Sequence, residues 1–81
     1  MDARTLTRYS TDTTTIYRRP AGFYELVDTS RSDYERSIAM ISPVNGGCWA
    51  QTPDDASPRY CATLEDLDVL IAAQQARRQA A

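Results

Sequence analysis

One amphipathic helix near the C-terminal end of the sequence places the strongest limit on the fold. Thr63 is a good N-cap residue, and Asp66 lies three positions later, where a capping box needs an acceptor. Glu65 adds negative charge at the positive end of the helix dipole, and Arg77 and Arg78 add positive charge in the last turn. Apolar residues recur at helical spacing along one stripe, which comprises Leu64, Leu67, Leu70 and Ile71. The pattern predicts a helix from Leu64 to Arg78 that packs its stripe across a small antiparallel sheet.

The segments ahead of the helix have the composition of short strands joined by turns. A β-branched run at residues 14–18 and a second apolar run at residues 23–27 flank Pro20-Ala21-Gly22, which predicts a hairpin. Asn45-Gly46 is typical of a type I′ turn, because both of its central positions favour positive φ. Two more strands are predicted, at residues 48–52 and 59–62.

Residues 34–42 fit two different structures. Ser32 and Glu35 match a capping box, which favours a helix. The short apolar run Ile38 to Ile41, closed by Pro43, is instead typical of a buried strand, and we favour the strand. The predicted fold is α+β, a small antiparallel sheet of about four to five strands packed against one C-terminal helix. The alternative is a ββαββα arrangement, if residues 33–42 are helical.

The N-terminal segment, residues 1–13, is polar, with Leu6 and Tyr9 as its large apolar side chains. We expect it to be a loose arm, or a short edge strand, ahead of a single α+β domain at residues 14–81. A domain of this length buries only about 60% of the surface that its unfolded chain exposes, so its net stability is small. Association with a partner would add to this stability.

The balance of charge bears on the kind of partner. Nine basic residues, all of them arginine, stand against 11 acidic ones, which gives a net charge of −2. Proteins that bind nucleic acid usually carry a positive stripe, so nucleic acid is disfavoured as a partner. No apolar run is long enough to cross a membrane, and the N-terminus has no secretory signal pattern. Because neither pattern is present, we expect a cytoplasmic location. Arginine without lysine suggests a GC-rich bacterial genome or its phage, so the expected setting is a bacterial host cell.

The residue types on which most enzymes and metal sites depend are scarce. Histidine is absent, which removes the commonest general base and the commonest metal ligand. Two cysteines do not make a zinc site, which needs four ligands. The hydroxyl side chains have no identifiable base beside them. We therefore expect no enzymatic activity, no cofactor and no metal.

The two cysteines fall on one face of the predicted sheet. If the loop at residues 53–58 joins paired strands, Ala50 faces Cys61 and Cys48 faces Thr63, so that the cysteines are diagonal neighbours. A disulfide needs Cα atoms within about 7 Å, which a diagonal pair barely reaches. Two small buried apolar side chains are the favoured interpretation, and a disulfide is the alternative.

Candidate contact residues occur in the same half of the chain and in the first hairpin. Trp49 is either an outward interface anchor or the centre of a small core. The acidic residues near the last strand and the helix start either form a negative surface for a basic partner or serve as caps and a solvated loop. The candidate partner-binding residues are Trp49, Tyr60, Asp54, Asp55, Glu65, Asp66, Arg18 and Arg19.

In size and acidic composition the whole chain resembles the anti-CRISPR proteins, a group of small inhibitors from phages and mobile elements. The resemblance implies binding to a Cas subunit or complex by surface contact, through Trp49 or the acidic residues named above, and inhibition of that complex. Two other functions stay open. One is a homo-oligomeric structural or assembly protein, a homodimer for example, or the accessory member of a toxin–antitoxin pair. The other is a nucleic-acid binder that uses the arginines of the first hairpin.

Overall fold

The computed structural model describes residues 1–32 and 36–80, which form a five-stranded antiparallel sheet and a C-terminal helix. The elements are a 3₁₀ helix (Ala3–Tyr9), β1 (Thr14–Arg18), β2 (Tyr24–Asp28), β3 (Ser37–Val44), β4 (Gly47–Gln51), β5 (Arg59–Cys61) and α1 (Leu64–Ala80). The strands lie in chain order from β1 to β5, so each pairs with the next. The predicted α+β fold is confirmed.

The central strand β3 covers the segment for which the sequence allowed two structures. Because Ser37–Val44 is a strand, the ββαββα alternative is wrong, although Glu35 of the supposed capping box lies outside the described residues. The strand runs through Pro43, where the sequence predicted that it would stop. A register shift between β2 and β3 gives Ile38 no partner in β2, and Ile38 and Ala39 are both buried.

The connection between β3 and β4 is a two-residue turn closed by the pair Val44 and Gly47. Gly46 has a φ of +82°, whereas Asn45 has no positive φ. A type I′ turn needs positive φ at both positions, so the turn is correctly located but its predicted type is wrong. Gly47 is required by crowding, because a Cβ there would lie 2.3 Å from the Cys61 carbonyl oxygen.

The pairing of β4 with β5 places Cys48 directly opposite Cys61. The predicted register, with Cys48 opposite Thr63, is therefore wrong by two residues. The reason is that Thr52 leaves the strand to form a tight turn with Asp55. The Thr52 hydroxyl donates to Asp55 Oδ2 (2.9 Å), and the Asp55 backbone N–H donates to the Thr52 carbonyl oxygen (3.1 Å). Thr52 therefore lies in this turn and does not pair with β5.

The N-terminal segment is not a loose arm or an edge strand, since Ala3–Tyr9 forms a 3₁₀ helix. Leu6 is fully buried in the core, and the Tyr9 hydroxyl donates to Asp68 of α1 (2.6 Å). Asp2 caps the helix by accepting from the Arg4 backbone N–H (3.0 Å). The expectation was wrong because a single leucine in a polar segment gives no periodic signal, although it is enough to fix the segment against the core.

The core lies between one face of the sheet, which we call the core face, and the two helical elements. Leu6 of the 3₁₀ helix and Leu67 and Ile71 of α1 pack against it. Both cysteines are free and buried there, in agreement with the favoured interpretation. The buried apolar strand residues of this core are Leu26, Ile38, Ala39, Ile41, Cys48, Ala50 and Cys61.

Helix α1 begins as predicted after Thr63, whose hydroxyl accepts from the Asp66 backbone N–H (3.2 Å). It continues to Ala80, slightly beyond the predicted end at Arg78. Arg78 does more than complement the helix dipole. Its Nη1 donates to the Ser37 carbonyl oxygen (3.2 Å), and its Nη2 lies 3.8 Å from the Asp28 carboxylate. The last part of the helix is thereby attached to β2 and β3.

The two edges of the sheet differ. At the outer edge of β1, the Thr11 N–H donates to the Thr14 carbonyl oxygen (2.9 Å) and the Ile16 N–H donates to Ser10 Oγ (3.4 Å). The segment that follows the 3₁₀ helix therefore occupies part of this edge. The short strand β5 instead borders a groove beside α1.

Candidate interaction surface

The face of the sheet opposite the core face carries the largest exposed apolar side chains. Strand alternation and register place two rows of side chains across this face. One row crosses from β1 to β4 and the other from β3 to β5. Both helical elements pack on the other side. We call this surface the open face, and its rows are Tyr17, Glu25, Met40 and Gln51, and Ser42, Trp49 and Tyr60.

Trp49 lies at the β5 end of the open face. It is 45% exposed and Tyr60, directly opposite, is 49% exposed. Their ring centroids are 5.4 Å apart at an interplanar angle of 59°, a tilted arrangement that aromatic pairs favour. The Tyr60 hydroxyl donates to the Gly46 carbonyl oxygen (2.9 Å), which fixes the ring against the turn. The outward orientation of Trp49 is confirmed, and its interpretation as the centre of the core is wrong.

The β1 end of the open face is organised by Arg19. Its guanidinium carbon lies 5.0 Å from the Tyr17 ring centroid, within cation–π range. Its Nε donates to Glu25 Oε1 (2.8 Å). Burial by itself raises the pKa of Glu25, but hydrogen bonds from Ser37 and Arg19 outweigh it and hold that pKa below its usual value. Arg19 and Glu25 therefore neutralise each other at this end of the face.

The first-hairpin arginines are not one basic surface. Arg18 lies opposite Tyr24, which packs toward the core, so it is on the other side of β1 from Tyr17. Arg19 is paired with Glu25, and Arg8 lies 3.5 Å from Asp68. The structure thus separates Arg18 from Arg19 and neutralises most of the charge on which a nucleic-acid surface would depend.

The two loop aspartates differ in what they contact. The Asp55 carboxylate is only 10% exposed, accepts from Thr52 and lies 3.0 Å from Arg59 Nη2. The hydrogen bond from Thr52 is the largest cause of the low pKa of Asp55, opposed by burial and helped by Arg59. Asp55 is therefore a structural residue of the turn. Asp54 is exposed and lies 3.9 Å from Arg77 Nε, a long ion pair at the surface.

Glu65 and Asp66 are both exposed at the start of α1. Within residues 1–32 and 36–80, neither carboxylate has an ion pair. Asp66 lines the groove between β5 and α1, which has a volume of about 410 Å³. Tyr60 lines the same groove and belongs to the open face, so it joins the two surfaces. Of the predicted contact residues, the structure brings Trp49, Tyr60 and Asp66 onto one continuous surface, next to Glu65.

Two residues of this surface were missed by the sequence analysis. Met40 is 39% exposed at the centre of the open face, although it lies inside an apolar run that suggested burial on both faces. Its alternation with Ile41 is the signal that places it outside. Val69 is 69% exposed on the groove wall. It follows Leu67 by two positions, which moves it off the apolar stripe of α1.

Among the described residues, no group of three or more His, Cys, Asp and Glu side chains is placed to hold a metal ion. The helices of residues 1–32 and 36–80 are too short or too polar to cross a membrane. No protein-family model matches the sequence, and neither a curated protein nor a solved structure shows significant similarity to it. Interpretation of function therefore depends on the surface itself.

Proposed function

We propose that the protein acts without catalysis, by binding a larger protein through the open face and the adjoining groove. The observation that carries this proposal is the exposure of Tyr17, Met40, Trp49 and Tyr60 on the face opposite the core, each between 38% and 49% exposed. Exposed apolar patches of a few hundred Å² on small domains are frequently interaction sites. Tryptophan and tyrosine are also the residues that most often dominate binding energy.

The chemistry of the surface indicates the chemistry of the partner. The centre of the open face is aromatic and apolar, and its ion pair between Arg19 and Glu25 is internally satisfied. The rim next to Tyr60 carries the carboxylates of Glu65 and Asp66. A complementary partner therefore presents an apolar centre flanked by arginine or lysine side chains beside the start of α1.

The size of the open face favours a larger partner over a second copy of this chain. Five strands spaced about 4.8 Å apart, with a mean length of about 17 Å, give a footprint of roughly 400 Å². A stable interface usually buries about 800 Å² on each partner. Two flat open faces packed together fall short of that area. A larger protein that also fills the groove and contacts the helix start comes closer to it.

Within this proposal, the partner is a subunit of a larger bacterial complex in the cytoplasm of the host, and binding inhibits that complex. The small size, the net charge of −2 and the absence of histidine support an inhibitor of the anti-CRISPR kind. The Cas complex is the first candidate, because its subunits carry basic surfaces for nucleic acid that an acidic protein complements.

Site-specific photo-cross-linking in the host tests the surface directly. A photoreactive phenylalanine analogue at Met40 is compared with the same analogue at Asp12, an exposed residue of the loop before β1. We expect a covalent adduct with a protein larger than this chain at Met40 only, and loss of that adduct when Trp49→Ala is added. An adduct with a second copy alone, or equal adducts at both positions, contradicts the proposal.

A plaque assay tests the inhibitory part. Expression of the wild-type protein in a CRISPR-immune strain is expected to restore phage plating by at least about tenfold, and Trp49→Ala to lower that restoration. If the cross-link forms but plating does not change, the binding surface is retained and the Cas complex is rejected as the target.

A further inference from the structure

The direct opposition of Cys48 and Cys61 has a chemical consequence that is separate from partner binding. Residues directly opposite each other on antiparallel strands have Cα atoms about 4.5–5.5 Å apart. Disulfides form over Cα separations of about 4.4–6.8 Å. The observed register therefore places this pair within bridging distance without movement of the backbone.

The two thiols also share one buried environment. Cys48 is fully buried and Cys61 is 3% exposed, both on the core face beneath α1. Because the two side chains are directly opposite each other on one face of the sheet, a bond between their sulfur atoms needs no change of register.

We propose that Cys48 and Cys61 are a reversible oxidation site, at which a cross-strand disulfide joins β5 to β4. The oxidant is a small-molecule disulfide of the glutathione type, and the product is an internal bridge within one molecule. This inference does not depend on the proposed function. In a reducing compartment the pair stays as two thiols, and the bridge forms when the ratio of disulfide to thiol rises.

The reaction is two successive thiol–disulfide exchanges. The Cys61 thiolate attacks one sulfur of oxidised glutathione, which forms a mixed disulfide and releases one glutathione thiolate. The Cys48 thiolate then attacks the Cys61 sulfur, forms the internal bond and releases the second glutathione thiolate. The two protons lost from the cysteines end on the two released thiols, and the two electrons reduce the glutathione disulfide. Cys61 reacts first because it lies on the edge strand.

Burial controls the rate of this exchange. It raises the pKa of the Cys48 thiol to about 11, and it also raises the pKa of the Cys61 thiol. Few thiolates therefore exist near neutral pH while β5 is in place. The strand β5 has only three residues, so its local opening exposes Cys61 far more readily than global unfolding does. We expect slow oxidation that accelerates with pH.

The bridge would act on a neighbouring part of the molecule. Trp49 and Tyr60 are the next pair along the same two strands. A covalent bond between Cys48 and Cys61 holds β5 in register and thereby keeps that aromatic pair together. It also closes a loop over residues 48–61, which restricts the unfolded chain. Oxidation is thus expected to stabilise the fold and to order the β5 end of the open face.

The test uses the purified full chain, incubated with a mixture of oxidised and reduced glutathione near pH 8 and then quenched with acid. Intact mass spectrometry is expected to show the loss of two hydrogen atoms, with no glutathione retained and no intermolecular link. The Tm of this product is expected to rise by about 10–20 °C, the shift for closing a loop of this length in a small domain. Dithiothreitol is expected to reverse both changes.

Retained glutathione, disulfide-linked dimers or a fall in Tm on oxidation would overturn the proposal. The matched control is the double variant Cys61→Ala/Arg59→Cys, which keeps two thiols on the same face but moves one to a diagonal position. Diagonal neighbours lie about 7–8 Å apart, beyond the usual limit for a bridge. We expect this variant to retain glutathione as a mixed disulfide. If it bridges as readily as the wild type, direct opposition is not the cause.

Discussion

The core face and the open face of this sheet differ in where they place small and large side chains. Four of the seven buried apolar strand residues in the core are small: Ala39, Ala50, Cys48 and Cys61. The open face carries large side chains at exposed positions: Tyr17, Met40, Trp49 and Tyr60. Large apolar side chains are ordinarily the ones that a small domain buries, because each removes the most apolar surface from water.

The small side chains have a structural reason, since they allow α1 and the 3₁₀ helix to pack closely on the sheet. Leu6, Leu67 and Ile71 fill the space that larger strand residues would occupy. The large side chains on the open face have no such structural explanation. The comparison indicates that one face of the sheet is devoted to stability and the other to contact, and the following variants test that division.

The largest effect is expected from truncation on the core face. Ile41 is fully buried, and Ile41→Ala is expected to lower the free energy of unfolding by about 2–4 kcal/mol through lost burial and a residual cavity. Its neighbour Met40 faces outward, so Met40→Ala is expected to cost under about 1 kcal/mol. Equilibrium urea denaturation of the two variants measures both values. Similar losses for the two would contradict the assignment of faces.

A smaller effect on stability is expected from Trp49→Ala. Its indole is half exposed and contacts Tyr60, so the loss is about 1 kcal/mol and unfolding stays cooperative. Binding to the cross-linked partner is expected to fall by at least about tenfold, as for removal of an interface anchor. Circular dichroism during thermal unfolding measures the loss of stability, and a binding titration measures the loss of affinity. A variant that no longer folds would mean that the open face also holds the fold together.

The smallest effect concerns the ion pair of the open face. The pKa of Glu25 lies below 4.5 in the folded protein, because hydrogen bonds from Ser37 and Arg19 outweigh the effect of burial. The unfolded chain therefore binds this proton more readily than the folded one. The stabilising contribution is complete above about pH 4.5 and is lost as pH falls through the lower folded pKa.

Between pH 6 and pH 3, the wild-type Tm is therefore expected to fall by about 2–4 °C more than that of Glu25→Gln. The difference is small because Arg19 is partly exposed and solvent screens the pair. Differential scanning calorimetry at the two pH values gives the comparison. Parallel Tm curves for the two proteins would show that Glu25 contributes nothing specific to the folded state.

The sequence was most informative where a local pattern carries its own signal. Thr63 and the apolar stripe after it located α1, and Asn45-Gly46 located the turn before β4. Alternation along β4 places Trp49 on the opposite face from Cys48, which is buried in the core beside α1. For the contact surface, Trp49, Tyr60 and the helix-start acids were all identified in advance, although not as one continuous surface.

The parts that sequence reasoning missed depend on contacts between distant segments. Burial of Leu6 is decided by the space beneath α1, which no local pattern reports. The β4–β5 register is decided by the hydrogen bonds of Thr52 with Asp55, which take residues away from pairing. The same hydrogen bonds make Asp55 a structural residue of the turn, which the sequence alone does not indicate. Choosing between such alternatives needs the tertiary structure.

The partial occupation of the β1 edge by Ser10 and Thr11 limits how this sheet associates with others. Growth of a continuous sheet from molecule to molecule requires two available edges on every unit, one to receive a strand and one to offer it. A unit with one obstructed edge ends such growth at its first addition. Edge-to-edge pairing at β5 therefore stops at two molecules. The segment that ends at Ser10 and Thr11 prevents the native sheet from growing into a fibre.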